Sequence, residues 1–69
     1  YEVSVPKAWA GKSIGELDVR RRHHLNILGI KADGRIDLNI SAQTVLAANA
    51  AVLVAGRQED VDHVLQKTG

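Results

Sequence analysis

The chain has 69 residues, a formal charge of +1, no cysteine, and Tyr1 and Trp9 as its only aromatic residues. These values limit it to one small domain that hides only about 60% of its unfolded surface, and they exclude disulfides and thiolate metal sites as supports. They also weigh against single-strand nucleic-acid binding, which stacks bases on aromatic platforms, and against duplex binding, which favours a large positive excess.

No run reaches the roughly 18 apolar residues of a membrane span, so direct membrane insertion is not expected, and the N-terminus lacks a signal-peptide layout. A core of Ile, Leu, Val and Ala in so short a chain favours pairing with a second copy. The abrupt opening at Tyr1-Glu2-Val3 reads as one domain, residues 1–69, cut from a longer protein.

Tyr1 to Val5 places apolar residues at odd positions, the pattern of a half-buried strand, and Pro6 ends it because proline has no N–H for a ladder. Ser13-Ile14-Gly15-Glu16 fits a capping box, in which the Ser13 hydroxyl accepts from the Glu16 amide and the Glu16 carboxylate accepts from the Ser13 amide. A short helix is predicted from there, with Ile14 and Leu17 facing inward and Asp18 capping a second turn that restarts or extends the helical path through Arg22.

Leu25 to Ala32 is apolar on both faces of a strand: Leu25 and Ile27 on one, Leu28, Ile30 and Ala32 on the other. It is predicted to be the central strand, with neither face meant for water. Asp33-Gly34 is a two-residue turn signal, and Arg35 to Ile40 alternates, with Ile36, Leu38 and Ile40 opposed to Arg35, Asp37 and Asn39, which predicts a hairpin. A two-residue loop sets Lys31 opposite Ile36 and puts Leu28 and Ile30 on the face of Asp37 and Asn39. Those two side chains then need cover from a helix or a second subunit, unless a longer loop with a bulge realigns the strands.

Ser41 to Ala48 reads as a compact turn anchored by Val45 and Leu46, with Asn49 suited to left-handed backbone, and Ala50 to Ala55 as a buried strand ended by Gly56. Arg57 to Lys67 is predicted helical, with Glu59 and Asp60 in the first turn, Lys67 in the last, and Val61, Val64 and Leu65 on one face. The order strand, helix, strand, strand, strand, helix predicts an α+β fold, a small sandwich of one mainly antiparallel sheet and a layer of helices.

The polar information concentrates in Leu17 to Ala32, where Asp18, three arginines, His23, His24 and Asn26 run into the apolar strand. Consecutive helical residues point about 100° apart, so Arg20, Arg21 and Arg22 do not serve one anion together. Either all three lie on a solvated helix end, or one turns inward and forks to a phosphate or a purine edge. Asn26 stands where an apolar residue is expected; its carboxamide suits an adenine edge, or equally a bond to nearby backbone at a strand end. His23 and His24 are neighbours that point apart with no carboxylate at ligand spacing, and His63 belongs to the terminal helix, so no metal site is expected. The hydroxyl residues have no base at motif spacing and the carboxylates sit like caps and surface charges, so an enzyme is not expected.

Taken in order, Val5-Pro6, W-x-G-K-S-I-x-E-L-D from Trp9 to Asp18, R-R-R ahead of L-N-I-L-G-I-K at Leu25 to Lys31, the D-G hairpin, T-V-L at Thr44 to Leu46 and V-L-V-A-G-R-x-E-D at Val52 to Asp60 span nearly the whole chain. This ordered set resembles the TrkA-C domain, also called the RCK C-lobe, of the cytosolic gating subunits of bacterial Ktr- and Trk-type potassium-uptake systems. The resemblance implies a cytoplasmic, homodimeric regulatory lobe that follows a Rossmann lobe in the full protein and is peripheral to the membrane through a potassium-translocating subunit. The chain has no G-x-G-x-x-G, so no resident cofactor is expected within it.

Several members bind cyclic di-AMP between two C-lobes, using an arginine and, six residues later, an asparagine at the start of the central strand. Arg20 and Asn26 have that spacing, and Ile14, Leu25 and Ile27 carry over by position as apolar neighbours. The resemblance thus implies a site with phosphates near Arg20 and bases near Asn26. The chain departs from the pattern at His23-His24, where many members have Tyr or Phe followed by Gly, and at Asn49-Ala50, where many have a Gly-Asp turn. Two alternatives stay open: a structural dimerisation C-lobe of another transporter with no nucleotide ligand, and a DNA binder whose arginine run gives steep salt dependence.

Overall fold

The computed structural model describes residues 1–68. Its elements are β1 (Glu2–Ser4), α1 (Ile14–Leu17), α2 (Val19–His23), β2 (Asn26–Ala32), β3 (Arg35–Asp37), β4 (Ala51–Ala55) and α3 (Gln58–Thr68). The four strands form one sheet in the order β1-β4-β2-β3, each neighbouring pair antiparallel. One face of the sheet carries the core: Val3, Val52 and Val54 meet Trp9, Leu17, Val19, Leu25, Leu46, Val61 and Val64 from the helices and loops. This is the expected α+β sandwich of one antiparallel sheet and a helical layer.

The capping box forms as its residue types require, with the Glu16 amide donating to Ser13 Oγ and the Ser13 amide donating to the Glu16 carboxylate, both at 3.2 Å. The helix it starts is short. Asp18 takes a left-handed conformation (φ 47°, ψ 48°) that closes α1, and α2 restarts in a new direction without any side-chain cap from Asp18. His24 closes α2 in the same way, at φ 60°.

β2 settles the question of its two apolar faces through a bulge. Ile27 pairs with Val54 and Gly29 with Leu53, so Leu28 is one residue too many for the ladder. The extra residue shifts the strand's parity, and Ile27, Ile30 and Ala32 all pack against the core. Leu28 alone is left out, 53% exposed, so the expectation that neither face meets water is corrected.

The hairpin has the expected two-residue loop, with Lys31 opposite Ile36 and Ile30 opposite Asp37. Asp33 (φ 52°) and Gly34 (φ 75°) both adopt the positive φ that such a tight turn demands, which an L side chain resists and glycine does not. β3 ends at Asp37 instead of Ile40, because the Asp37 carboxylate accepts from the Asn39 amide at 2.9 Å and turns the chain away. Ile36 and Leu38, expected inside, are exposed: pairing with Lys31 puts Ile36 on the sheet face that no helix covers. On that face the Lys31 ammonium reaches across β4 to the Glu2 carboxylate at 3.4 Å.

Three smaller expectations are also corrected. Leu46 anchors the 41–48 turn in full burial, whereas Val45 is exposed, since the two neighbours project oppositely where Ser13 and Val45 form a β-bridge. Among the described non-glycine residues, left-handed backbone occurs at Asp18, His24 and Asp33 and not at Asn49. On α3, Val61 and Val64 are buried but Leu65 is not, because the helix presents a narrow stripe to the sheet. The Lys67 side chain lies outside the described residues.

Candidate functional site

Where α1, α2 and the start of β2 meet, the surface folds into an open concavity of about 280 Å³. Its wall is made of Ile14, Gly15, Asp18, Val19, Arg20, Leu25, Asn26 and Ile27. All five residues expected at a ligand site, Arg20, Asn26, Ile14, Leu25 and Ile27, are therefore gathered around one hollow. Gly15, Asp18 and Val19 join them. The signal that could have found Asp18 is an acid at a helix restart beside the cationic run; the side-chain cap expected of it does not form.

Each wall residue is held for a separate reason. Ile14 opens α1, and α1 is clamped to the 42–46 loop by backbone: the Ile14 amide donates to the Thr44 carbonyl at 2.9 Å and the Gly15 amide to the Ala42 carbonyl at 2.8 Å. The Gly11 amide donates to the Leu46 carbonyl and the Leu46 amide to the Lys12 carbonyl, completing a short two-stranded ribbon. The close approach leaves no room at Gly15, where an added Cβ would stand 3.0 Å from the Ala42 oxygen. These contacts occupy the Ile14 and Gly15 amides at the start of α1, so those two groups are not open to an anion in the hollow.

The three arginines diverge as helical geometry requires. Arg20 lines the concavity. Arg21 is exposed and lies 3.6 Å from the Asp18 carboxylate. Arg22 borders a different cleft, with His23, His24, Glu59, Asp60 and His63. Leu25 is buried to 2% exposure and Ile27 packs on the core, so the floor of the hollow is rigid aliphatic surface, while Asn26 stands exposed at the rim of β2. Asn26 and Arg20 thus project from a strand end and a helix end that share a common base.

The departure at His23-His24 is absorbed locally. The His23 ring packs on Trp9 with centroids 5.5 Å apart, and His24 adopts the left-handed geometry for which glycine is the usual choice. Among the described residues no three His, Asp or Glu side chains converge as a metal site. No helix among them is long and apolar enough to cross a membrane.

Comparisons with known proteins agree with this architecture. The family model described as the TrkA-C domain matches residues 1–69. The fold is similar to the RCK C domain of the potassium transport protein KtrA in complex with cyclic di-AMP, with a TM-score of 0.86 and 23% identity over 96% of this chain and 78% of that one. It is also similar to the RCK_C domain dimer of S. agalactiae BusR in complex with cyclic di-AMP, with a TM-score of 0.84 and 24% identity over 96% of this chain and 90% of that one. The GsuK RCK domain is 30% identical with a TM-score of 0.75, and there the match covers 99% of this chain but 15% of the other. No curated protein matches the chain in sequence. With the family model spanning its whole length and the fold in agreement, the chain belongs to the TrkA-C domain family.

Proposed function

We propose that this chain is the cytoplasmic regulatory lobe of a potassium transport system, and that two copies bind cyclic di-AMP across a twofold axis. In each copy Arg20 forks to a phosphate, Asn26 meets the adenine edge, and Ile14, Leu25 and Ile27 supply the apolar surface beneath the bases. The observation that carries this reading is the convergence of these five residues on one hollow, in a fold that matches domains solved with that nucleotide. A single hollow sits at the lower edge of ligand-pocket volumes, about 300 to 1,000 Å³, and a second copy facing it across an axis would double the space. A twofold ligand on a twofold axis also uses every contact twice. Binding then favours one arrangement of the two lobes, and the rest of the protein passes that bias to its effector.

Titration calorimetry with cyclic di-AMP, paired with analytical ultracentrifugation, tests this. Binding at one nucleotide per two chains, weakened in Arg20→Ala and, to a smaller extent, in Asn26→Ala, is expected. The absence of heat at micromolar protein would leave a dimerisation module without a nucleotide ligand. A second reading of the effector rests on another similarity: BusR in complex with its promoter DNA matches this chain at 26% identity and a TM-score of 0.81, over 34% of the BusR chain. In that reading the same lobe controls a DNA-binding protein, and the full-length protein would bind duplex DNA with strong salt dependence.

A further inference from the structure

Asp18 presents a puzzle in a hollow read as an anion site. It lines the concavity beside Arg20, yet an ionised carboxylate repels phosphate and can only accept hydrogen bonds. An N-cap aspartate would normally satisfy the first amides of the helix it precedes, yet Asp18, in left-handed backbone, makes no side-chain cap to α2. Among the described residues its ion pair is with Arg21 at 3.6 Å, and that arginine side chain is 85% exposed, a pairing of the weak surface kind.

We infer that Asp18 accepts a hydrogen bond from a ribose 2′-hydroxyl of the bound nucleotide, and so makes the hollow selective for ribonucleotide over deoxyribonucleotide. This rests on the reading of the concavity as a cyclic dinucleotide site. A ligand anchored by phosphate has two kinds of donor to offer an acceptor-only group, sugar hydroxyls and base amines. Asp18, the left-handed residue that precedes α2, and Arg20 on that helix both line the same hollow. A phosphate held by Arg20 therefore brings its own ribose past Asp18, while the base extends on toward Asn26 at the start of β2. In a 3′,5′-linked cyclic dinucleotide the 2′-hydroxyl is the free sugar donor. A carboxylate reading that hydroxyl next to a phosphate site is the same division of labour found in dinucleotide-binding folds. The charge of Asp18 adds orientation, because it drives the phosphates to the Arg20 side of the hollow.

The test uses Asp18→Gly, which removes the acceptor while suiting the left-handed backbone. Calorimetry compares cyclic di-AMP, its 2′-deoxy counterpart, and cyclic di-IMP, which keeps the hydroxyl and lacks the exocyclic amine. The native chain is expected to bind the ribose form about tenfold more tightly than the deoxy form, and Asp18→Gly to bind the two alike at a melting temperature no lower than that of the native chain. Cyclic di-IMP should show the same dependence on Asp18. Equal affinity of the native chain for ribose and deoxy forms, discrimination that survives in Asp18→Gly, or loss of the Asp18 effect with cyclic di-IMP would each overturn the inference and leave the nucleotide site standing. Failure of the native chain to bind any of the three would overturn both.

Discussion

At the residue scale, the helix-ending positions decide which way the charges point. Asp18 and His24 both sit in left-handed backbone, one on each side of α2, and together they aim Arg20 at the concavity and send Arg22 to the opposite cleft. His24 carries a side chain where the conformation favours none, so His24→Gly is expected to raise stability by up to about 1 kcal/mol, read as a higher midpoint in urea with an unchanged slope. Arg20→Ala is expected to weaken cyclic di-AMP binding at least tenfold while leaving the melting temperature unaltered, since its side chain is exposed and outside the core. Asn26→Ala should act in the same direction with a smaller loss, because a neutral carboxamide makes weaker hydrogen bonds than a guanidinium. Equal affinities in either variant would show that the hollow is not where the nucleotide rests.

At the element scale, the site depends on the close seating of β2 under the turn that follows β4. Gly56 ends β4, and a Cβ there would collide with the Leu25 side chain, which is 2% exposed and has nowhere to retreat. Gly56→Ala is expected to cost about 1 to 3 kcal/mol by overpacking, and to weaken ligand binding as well, since Leu25 is also a wall of the concavity. A chemical denaturation curve identical to that of the native chain would show that Leu25 can move freely. Leu46 gives the complementary case. It is fully buried beneath the 42–46 loop that clamps α1, so Leu46→Ala should cost about 2 to 5 kcal/mol and release the Ile14 wall. The bulge at Leu28 is the least conventional of these elements, and it is what lets one strand place Ile27, Ile30 and Ala32 on a single face.

At the scale of the whole molecule, a chain of 69 residues with a one-sided core has modest stability of its own, and under the proposed function a nucleotide that binds only a folded dimer should raise it substantially. Cyclic di-AMP at one hundred times its dissociation constant would add about 2.7 kcal/mol, enough to lift the melting temperature of so small a domain by about 11 to 22 °C. The midpoint should also rise with protein concentration, as it does for any unit that folds together with its partner. A midpoint independent of both nucleotide and protein concentration would contradict the dimeric reading.

The sequence by itself determined what short-range physics controls. Ser13 and Glu16 cap a helix wherever they fall at that spacing, Asp33-Gly34 makes a tight turn, and the six-residue interval from Arg20 to Asn26 is written in the chain. The ordered motifs also carried the family and, with it, the residues that were found to share one hollow. Tertiary structure alone decided the rest, because each remaining outcome depends on a partner distant in sequence. The parity of β2 turned on its register with β4, the exposure of Ile36 on which sheet face the helices cover, and the presence of Asp18 in the hollow on how the restarted helix is set against the start of β2. Periodicity can say that a residue is apolar every second position, but only the neighbouring strand says which of those positions faces the core.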